Sequence, residues 1–263
     1  MDVLGHGGVR LNVLDLGGSG PGILLLHGLT DRAATWTGTA EWLTAHGRVY
    51  AYDARGHGYS DKPDGPYDRD AYVGDAVAVI EALGLGPALV VGHSMGGLTA
   101  WQLAGRRPDL VRGIVVGDMD PVTPDDGIAK WKAWLDDWPV PFPTLAKVRE
   151  YFEGTDPGEG GVFPEVMAGG PDGWRPLVRT EHVLATLEHL MAQDRRSELA
   201  AVACPALVVA GAARGRAVEG KRESARLLPH GRYAELPLAG HVLHFSDPAG
   251  WRAAVEPFAT ELH

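Results

Sequence analysis

The stretch ALVVGHSMGG, residues 88–97, joins a short apolar run to a Gly-x-Ser-x-Gly turn and a helix-like continuation. An apolar run of this length bounded by glycine reads as a buried strand, and the residues after Gly96 read as a helix. A Gly-x-Ser-x-Gly sequence set between strand and helix is a nucleophile elbow. The tight turn forces Ser94 into a strained conformation and lifts its hydroxyl clear of the sheet. The flanking glycines are required because a Cβ there would meet the neighbouring strand and helix. The same turn leaves the Met95 backbone N–H at the positive end of a helix.

Working outward, short apolar runs alternate with helix-like stretches. Residues 9–16, 23–26, 48–53, 113–117, 206–210 and 232–236 read as further strands. Residues 36–45, 70–83, 96–106, 219–228 and 248–262 read as helices. That alternation predicts an α/β fold with a largely parallel sheet covered on both faces. The rhythm stops between about 121 and 200, where Trp, Pro and Gly accumulate and a helix is expected over 179–192. So long a stretch without structure is implausible in a compact domain. It reads as an inserted helical cap, 121–200, on a core formed by 1–120 and 201–263.

Composition narrows the function. Of 263 residues 45% are hydrophobic and 22% charged, the balance of a globular chain, and 24 basic against 34 acidic residues leave a net charge of −10. Such acidity disfavours nucleic acid and anionic membrane as partners. No apolar run approaches the roughly 20 residues that span a bilayer, and the N-terminus lacks a signal-peptide pattern, so a cytoplasmic location is expected. One cysteine, Cys204, provides neither a disulfide framework nor a thiolate metal site, and reads as an inert buried thiol. A homodimer is compatible with the sequence.

A serine hydroxyl needs a base. Of the 11 histidines, His241 follows the last expected strand and precedes the final helix, a loop position at the carboxyl edge of the sheet; His244 is its near alternative. His182 and His189 lie two turns apart on an expected helix and read as a solvated face. Neither a His-Glu-x-x-His zinc motif nor a Gly-x-Gly-x-x-Gly dinucleotide turn occurs in a fitting context, so metal hydrolysis and dinucleotide chemistry lack support. His27-Gly28-Leu29 closes the second strand, where the Leu29 amide can join that of Met95 as an oxyanion hole.

With HGLTDRAATW (27–36), YDARGHGYSD (52–61), GHSMGG (92–97), PDLVRGIVVGD (108–118) and AGHVLHFSDP (239–248) in order, the chain resembles the α/β-hydrolase family over nearly its whole length. The resemblance implies an eight-stranded, mostly parallel sheet, a cap inserted after the sixth strand, and a serine–acid–histidine triad. One departure stands out. The family's acid usually follows the seventh strand, but VAGAARGR (209–216) carries no carboxylate there and has arginine in its place. Some branches carry the acid after the sixth strand, among them the zearalenone-type lactonases and the cofactor-free dioxygenases. Alignment with them points to Asp118, whereas strand alternation alone leaves Asp118 and Asp120 both open.

The expected site is therefore Ser94, His241 and Asp118, with the amides of Leu29 and Met95. Trp131, Trp134, Trp138 and Trp174 are candidates to roof a pocket for a bulky, largely uncharged substrate; Arg175 and Arg179 read as exposed helix charge. The reading is a serine hydrolase of a hydrophobic ester or lactone, lactone preferred, needing neither metal nor organic cofactor. Two rivals use the same fold: a cofactor-free dioxygenase and a non-catalytic small-molecule binder.

Overall fold

The computed structural model describes residues 1–123, 127–154, 156 and 158–262. Ten strands occur in chain order: β1 (Asp2–Leu4), β2 (Arg10–Gly17), β3 (Gly22–Leu26), β4 (Arg48–Tyr52), β5 (Ala88–His93), β6 (Val111–Gly117), β7 (Met167–Gly170), β8 (Gly173–Pro176), β9 (Ala206–Gly211) and β10 (Gly231–Leu236). Eight of them form one sheet in the order β1-β2-β4-β3-β5-β6-β9-β10. Within this sheet β1–β2 and β2–β4 pair antiparallel, and β4, β3, β5, β6, β9 and β10 run parallel.

Every residue of β3, β5 and β9 is buried, as expected where helices cover both faces. Alternation divides their side chains. Leu24, Leu26, Val90, Ile114, Val116 and Val208 join one core with Tyr72, Leu98 and Trp101. Ile23, Leu25, Leu89, Val91, Val115 and Val209 join the other with Trp36, Leu43, Trp251 and Phe258. The helices that supply those layers are α1 (Thr37–Leu43), α2 (Arg69–Leu83), α3 (Met95–Arg106) and, at the C-terminal end, Pro248–Glu261. The 15 residues of α2 start on an Asp68 side chain that accepts from Ala71 N–H and stop at Gly84 in the left-handed region, the expected cap chemistry at each end. The YDARGHGYSD motif is structural: Arg55 and Asp75 form a fully buried two-point ion pair, 2.7 Å at each contact, that fastens the loop after β4 to α2.

β1 was not expected. It is three residues long with a single inward side chain, Val3, too short for alternation to register. The run 48–53 stops as a strand at Tyr52, because Asp53 turns its carboxylate to Ala33 N–H, Tyr59 N–H and the Asn12 amide, 2.7–2.8 Å away.

Between β6 and β9 the chain leaves the sheet. This insertion is not purely helical: β7 and β8 form an antiparallel ribbon around Pro171-Asp172-Gly173, with Gly173 at φ +128. Four-residue strands carry too little periodicity to read in advance. The insertion has its own apolar cluster, including Trp138, Phe142, Val148, Phe152, Phe163 and Leu187, with the Phe152 and Phe163 rings stacked at 3.8 Å. Among the described residues no helix is long and apolar enough to cross a membrane.

Candidate active site

Ser94 sits between β5 and α3 at φ 51, ψ −116, a left-handed conformation that costs a non-glycine residue about 1–3 kcal/mol. Packing on every side holds it there. A Cβ on Gly92 would come within 2.2 Å of Gly96 O, and one on Gly96 within 2.1 Å of Leu26 O, so the turn closes only with glycine at both places. The Ser94 amide donates to Gly117 O at 2.7 Å, tying the elbow to the end of β6.

Ser94 Oγ lies 3.1 Å from His241 Nε2, and His241 Nδ1 lies 2.6 Å from Asp118 Oδ2. These three side chains are separated by 147 and 123 residues, and the sheet brings them together at its carboxyl edge. Asp118 directly follows β6 and is 3% exposed; its Oδ1 accepts Gly211 N–H at 3.1 Å. Burial alone pushes its carboxyl upward. The hydrogen bond and charge of His241, with the charges of Lys221 and Arg216, outweigh that and hold it well below the usual carboxylate range. Asp120 does not reach His241: it binds Lys221 Nζ at 2.8 Å. The end of β9 thus contributes a backbone amide to the acid rather than an acid of its own.

His27 does structural work beneath this line. Its Nε2 accepts Ala54 N–H at 2.9 Å, so Nδ1 carries the proton and donates to Gly28 O at 2.7 Å. Burial lowers its pKa and keeps it neutral. The turn that follows, with Asp31 N–H bonded to Gly28 O at 3.2 Å, leaves the Leu29 amide outside that bond. Met95 opens α3, where an amide has no intrahelical acceptor. Gly28 packs on the elbow, for a Cβ there would lie 3.4 Å from that of Ser94.

Reading the sequence missed three contributors. His93 Nε2 donates to His241 O at 2.8 Å; burial first, then the charges of His241 and His244, drive it well below the ordinary histidine range, so it acts as a neutral strut. Asp156, in the insertion, accepts the His241 backbone N–H at 2.5 Å, and Arg216 donates to both Asp118 and Asp156. His244, the alternative base, is stacked on Trp36 at 4.3 Å and pushed down by burial to about 3. His182 is a correction: it is buried and stacked on Tyr67 at 5.2 Å, because its helix packs that face onto the core, while His189 is exposed as expected. Arg175 and Arg179 are exposed, Arg175 on Asp172. Cys204 is half-buried, and burial pushes its thiol up to about 11.

Two cavities meet at Ser94. One is walled by Leu29, Asp31, Trp131, Trp134, Val162, Phe163, Val166 and Val242; another is bordered by Met119, Val122, Leu187, Leu190, Met191, Arg216 and Lys221. Trp131 and Trp134 line the first as expected. Trp138 and Trp174 do not line either. Trp138 is spent in the insertion's core, edge-on to Trp134, Phe152 and Phe163, and Trp174 covers Gly169 in the ribbon while its backbone pairs with Phe142. The apolar residues Phe163, Val162 and Val166 take the places those tryptophans were expected to fill. Among the described residues no group of three or more His, Cys, Asp or Glu side chains is arranged to hold a metal ion.

Asp31 on the first cavity is buried, with Oδ1 accepting Arg32 N–H at 2.7 Å and Oδ2 without a partner. Burial pushes its pKa from 3.8 up to about 7, against the lowering effect of the Arg32 amide and the Thr35 hydroxyl. A carboxyl raised in the folded state costs nothing while both states are protonated. It costs progressively more as the unfolded chain ionises, and the full amount above the folded pKa. Asp31→Asn, which mimics the protonated form, is therefore expected to leave stability unchanged near about pH 4 and to raise it near about pH 8, by about 4 kcal/mol at most. Denaturant unfolding at the two pH values checks this; an equal change at both would contradict it.

The model that describes the alpha/beta hydrolase family matches residues 23–254. A 2-(acetamidomethylene)succinate hydrolase of Mesorhizobium japonicum is 34% identical over 151 residues, 57% of this chain; the match spans about half of that relative's length, 54%. An sn-1-specific diacylglycerol lipase of Mus musculus is 31% identical over 94% of this chain and 83% of its own. Among solved structures, an E-2-(acetamidomethylene)succinate hydrolase superposes with a TM-score of 0.88 at 28% identity, covering 98% of this chain and 97% of that one. An enol-lactonase from Burkholderia xenovorans superposes at 0.77 and 25% identity, covering 99% and 100%.

Proposed function

The chain belongs to the alpha/beta hydrolase family, and on that premise we propose that it is a serine hydrolase of hydrophobic carboxylic esters, with lactone ring-opening its preferred reaction. One observation carries the reading: the unbroken line from Ser94 Oγ through His241 to the ionised Asp118, at the junction of two largely apolar cavities. Ser94 Oγ attacks the carbonyl carbon as His241 Nε2 takes its proton. The oxyanion draws on the Leu29 and Met95 amides. His241 then returns the proton to the departing alkoxide, and an acyl-serine remains. Water, deprotonated by the same nitrogen, releases the acid. In a lactone the alcohol stays tethered to the acyl group, so the product is one hydroxy acid heavier than the substrate by one water.

An uncharged substrate fits the charges at the cavity walls. Arg216 and Lys221 already serve Asp118, Asp156 and Asp120, and Asp31 Oδ2 in the first cavity has no hydrogen-bond partner among the described residues. The lipase and lactonase relatives support ester and lactone chemistry; the succinate hydrolase shows that the same fold also serves a substrate named as a dicarboxylate.

Mass spectrometry of aryl esters and hydrophobic macrolactones, incubated with wild type and Ser94→Ala, tests the proposal. Gain of one water or ester cleavage with wild type alone is the expected result, and uncharged esters should exceed carboxylate-bearing analogues by about tenfold or more in kcat/KM. Oxygen consumption in step with turnover would instead favour a dioxygenase, and binding without turnover a binder.

A further inference from the structure

Arg214 stands where the family resemblance leads one to expect the triad acid, and a second arginine follows two residues later. Arg216, in the loop after β9, donates Nη2–H to Asp118 Oδ2 at 2.9 Å, the same oxygen that accepts from His241 Nδ1. Its Nη1 reaches Asp156 Oδ2 at 3.3 Å, and that oxygen also accepts the His241 backbone N–H. One guanidinium therefore grips the acid from the sheet and a carboxylate from the insertion, and both carboxylates hold His241, one by its ring and one by its backbone.

We propose that Arg216 is a positioning residue: it locks His241 between Asp118 and Asp156 and sets the pH at which the Ser94–His241 pair becomes reactive. This rests on Ser94 being the nucleophile. Two consequences follow from the shared oxygen. Arg216 fixes the carboxylate plane of Asp118 against rotation, since Gly211 N–H holds the other oxygen. It also draws part of the negative charge that would otherwise stabilise a protonated imidazole. Without the guanidinium, Asp118 offers its full charge to a protonated imidazole, and the acid limb of reactivity moves up.

The other charged or titratable groups around His241 do not bridge the two carboxylates as Arg216 does. His93 beneath the ring and His244 on its own loop are held neutral by burial, and Lys221 lies 3.9 Å from Asp118 Oδ1 but is bonded to Asp120. Asp156 meets the backbone of His241, and Glu159 borders the same cavity.

The test is the rate at which a fluorophosphonate labels Ser94, followed across the pH range in which the fold is stable. Wild type, Arg216→Lys, Arg216→Gln and Asp156→Ala are compared. Arg216→Gln should shift the acid limb upward by about one pH unit, and Arg216→Lys should restore most of the wild-type profile. Asp156→Ala, which removes the acceptor for His241 N–H, should lower the plateau without raising the limb. A purely structural ion pair would lower the melting temperature and leave the limb in place. That result with a folded Arg216→Gln protein, or the same upward shift in Arg216→Lys, would overturn the proposal. Wild type left unlabelled would sink the nucleophile reading and this inference with it, an outcome distinct from the unmoved limb.

Discussion

Ser94→Ala should lower kcat for any ester the protein turns over by about a million-fold, to the residue of catalysis that binding and the oxyanion amides supply alone. The size of the loss follows from the architecture. β5 and α3 hold one hydroxyl in a strained turn, 3.1 Å from an imidazole nitrogen of His241. No neighbouring nucleophile takes over: Cys204, the only cysteine, lies at the opposite end of the strands and its thiol is pushed up to about 11 by burial. Removing Oγ relaxes nothing in the backbone, because the turn is fixed by Gly92, Gly96 and the Ser94 amide. Unchanged thermal unfolding should therefore accompany the loss. Activity within tenfold of wild type would mean that some other group attacks the substrate.

The second large effect separates two neighbouring carboxylates. Asp118→Asn should cost about 10⁴-fold in kcat, since an amide at that place favours the wrong imidazole tautomer and removes the charge that stabilises imidazolium. Asp120→Asn should cost less than about tenfold, the scale of a lost charge pair at a partly exposed site. The structural contrast is sharp. Asp118 is buried with His241 at 2.6 Å, whereas Asp120 is 37% exposed and committed to Lys221. Chromogenic-ester kinetics on the two variants decide it. A larger loss in Asp120→Asn than in Asp118→Asn would reverse the assignment.

Most of the sheet was legible because burial on both faces leaves an unbroken apolar run. Residues 23–26, 113–117 and 206–210 read as strands, and the structure extends them only by a residue or two at their ends. Elements of three or four residues were not legible, β1 and the β7–β8 ribbon among them, because neither alternation nor turn chemistry rises above background over so few positions. At the site, Ser94 and His241 stood out from local motifs and their order, whereas Asp118 was separated from Asp120 only by the family resemblance. The struts around them were not. His93 meets His241 across 148 residues, and Arg216 meets Asp156 across 60, and no local pattern marks such contacts. VAGAARGR carries no carboxylate; that Arg216 at its end turns back onto Asp118 is a fact of packing. The tryptophans show the same limit. Trp131, Trp134 and Trp138 lie on one helical stretch and its end, but of the three Trp131 and Trp134 line the cavity at Ser94 while Trp138 packs in the insertion's core, and composition cannot tell a wall from a core.

The most direct measurement is intact-protein mass spectrometry of a rapidly quenched reaction with an activated aryl ester, followed by peptide mapping. The account predicts a single added acyl group, located on Ser94, that disappears as water turns it over and never forms in Ser94→Ala. An acyl group on another residue, or ester consumed equally well by Ser94→Ala, would contradict it.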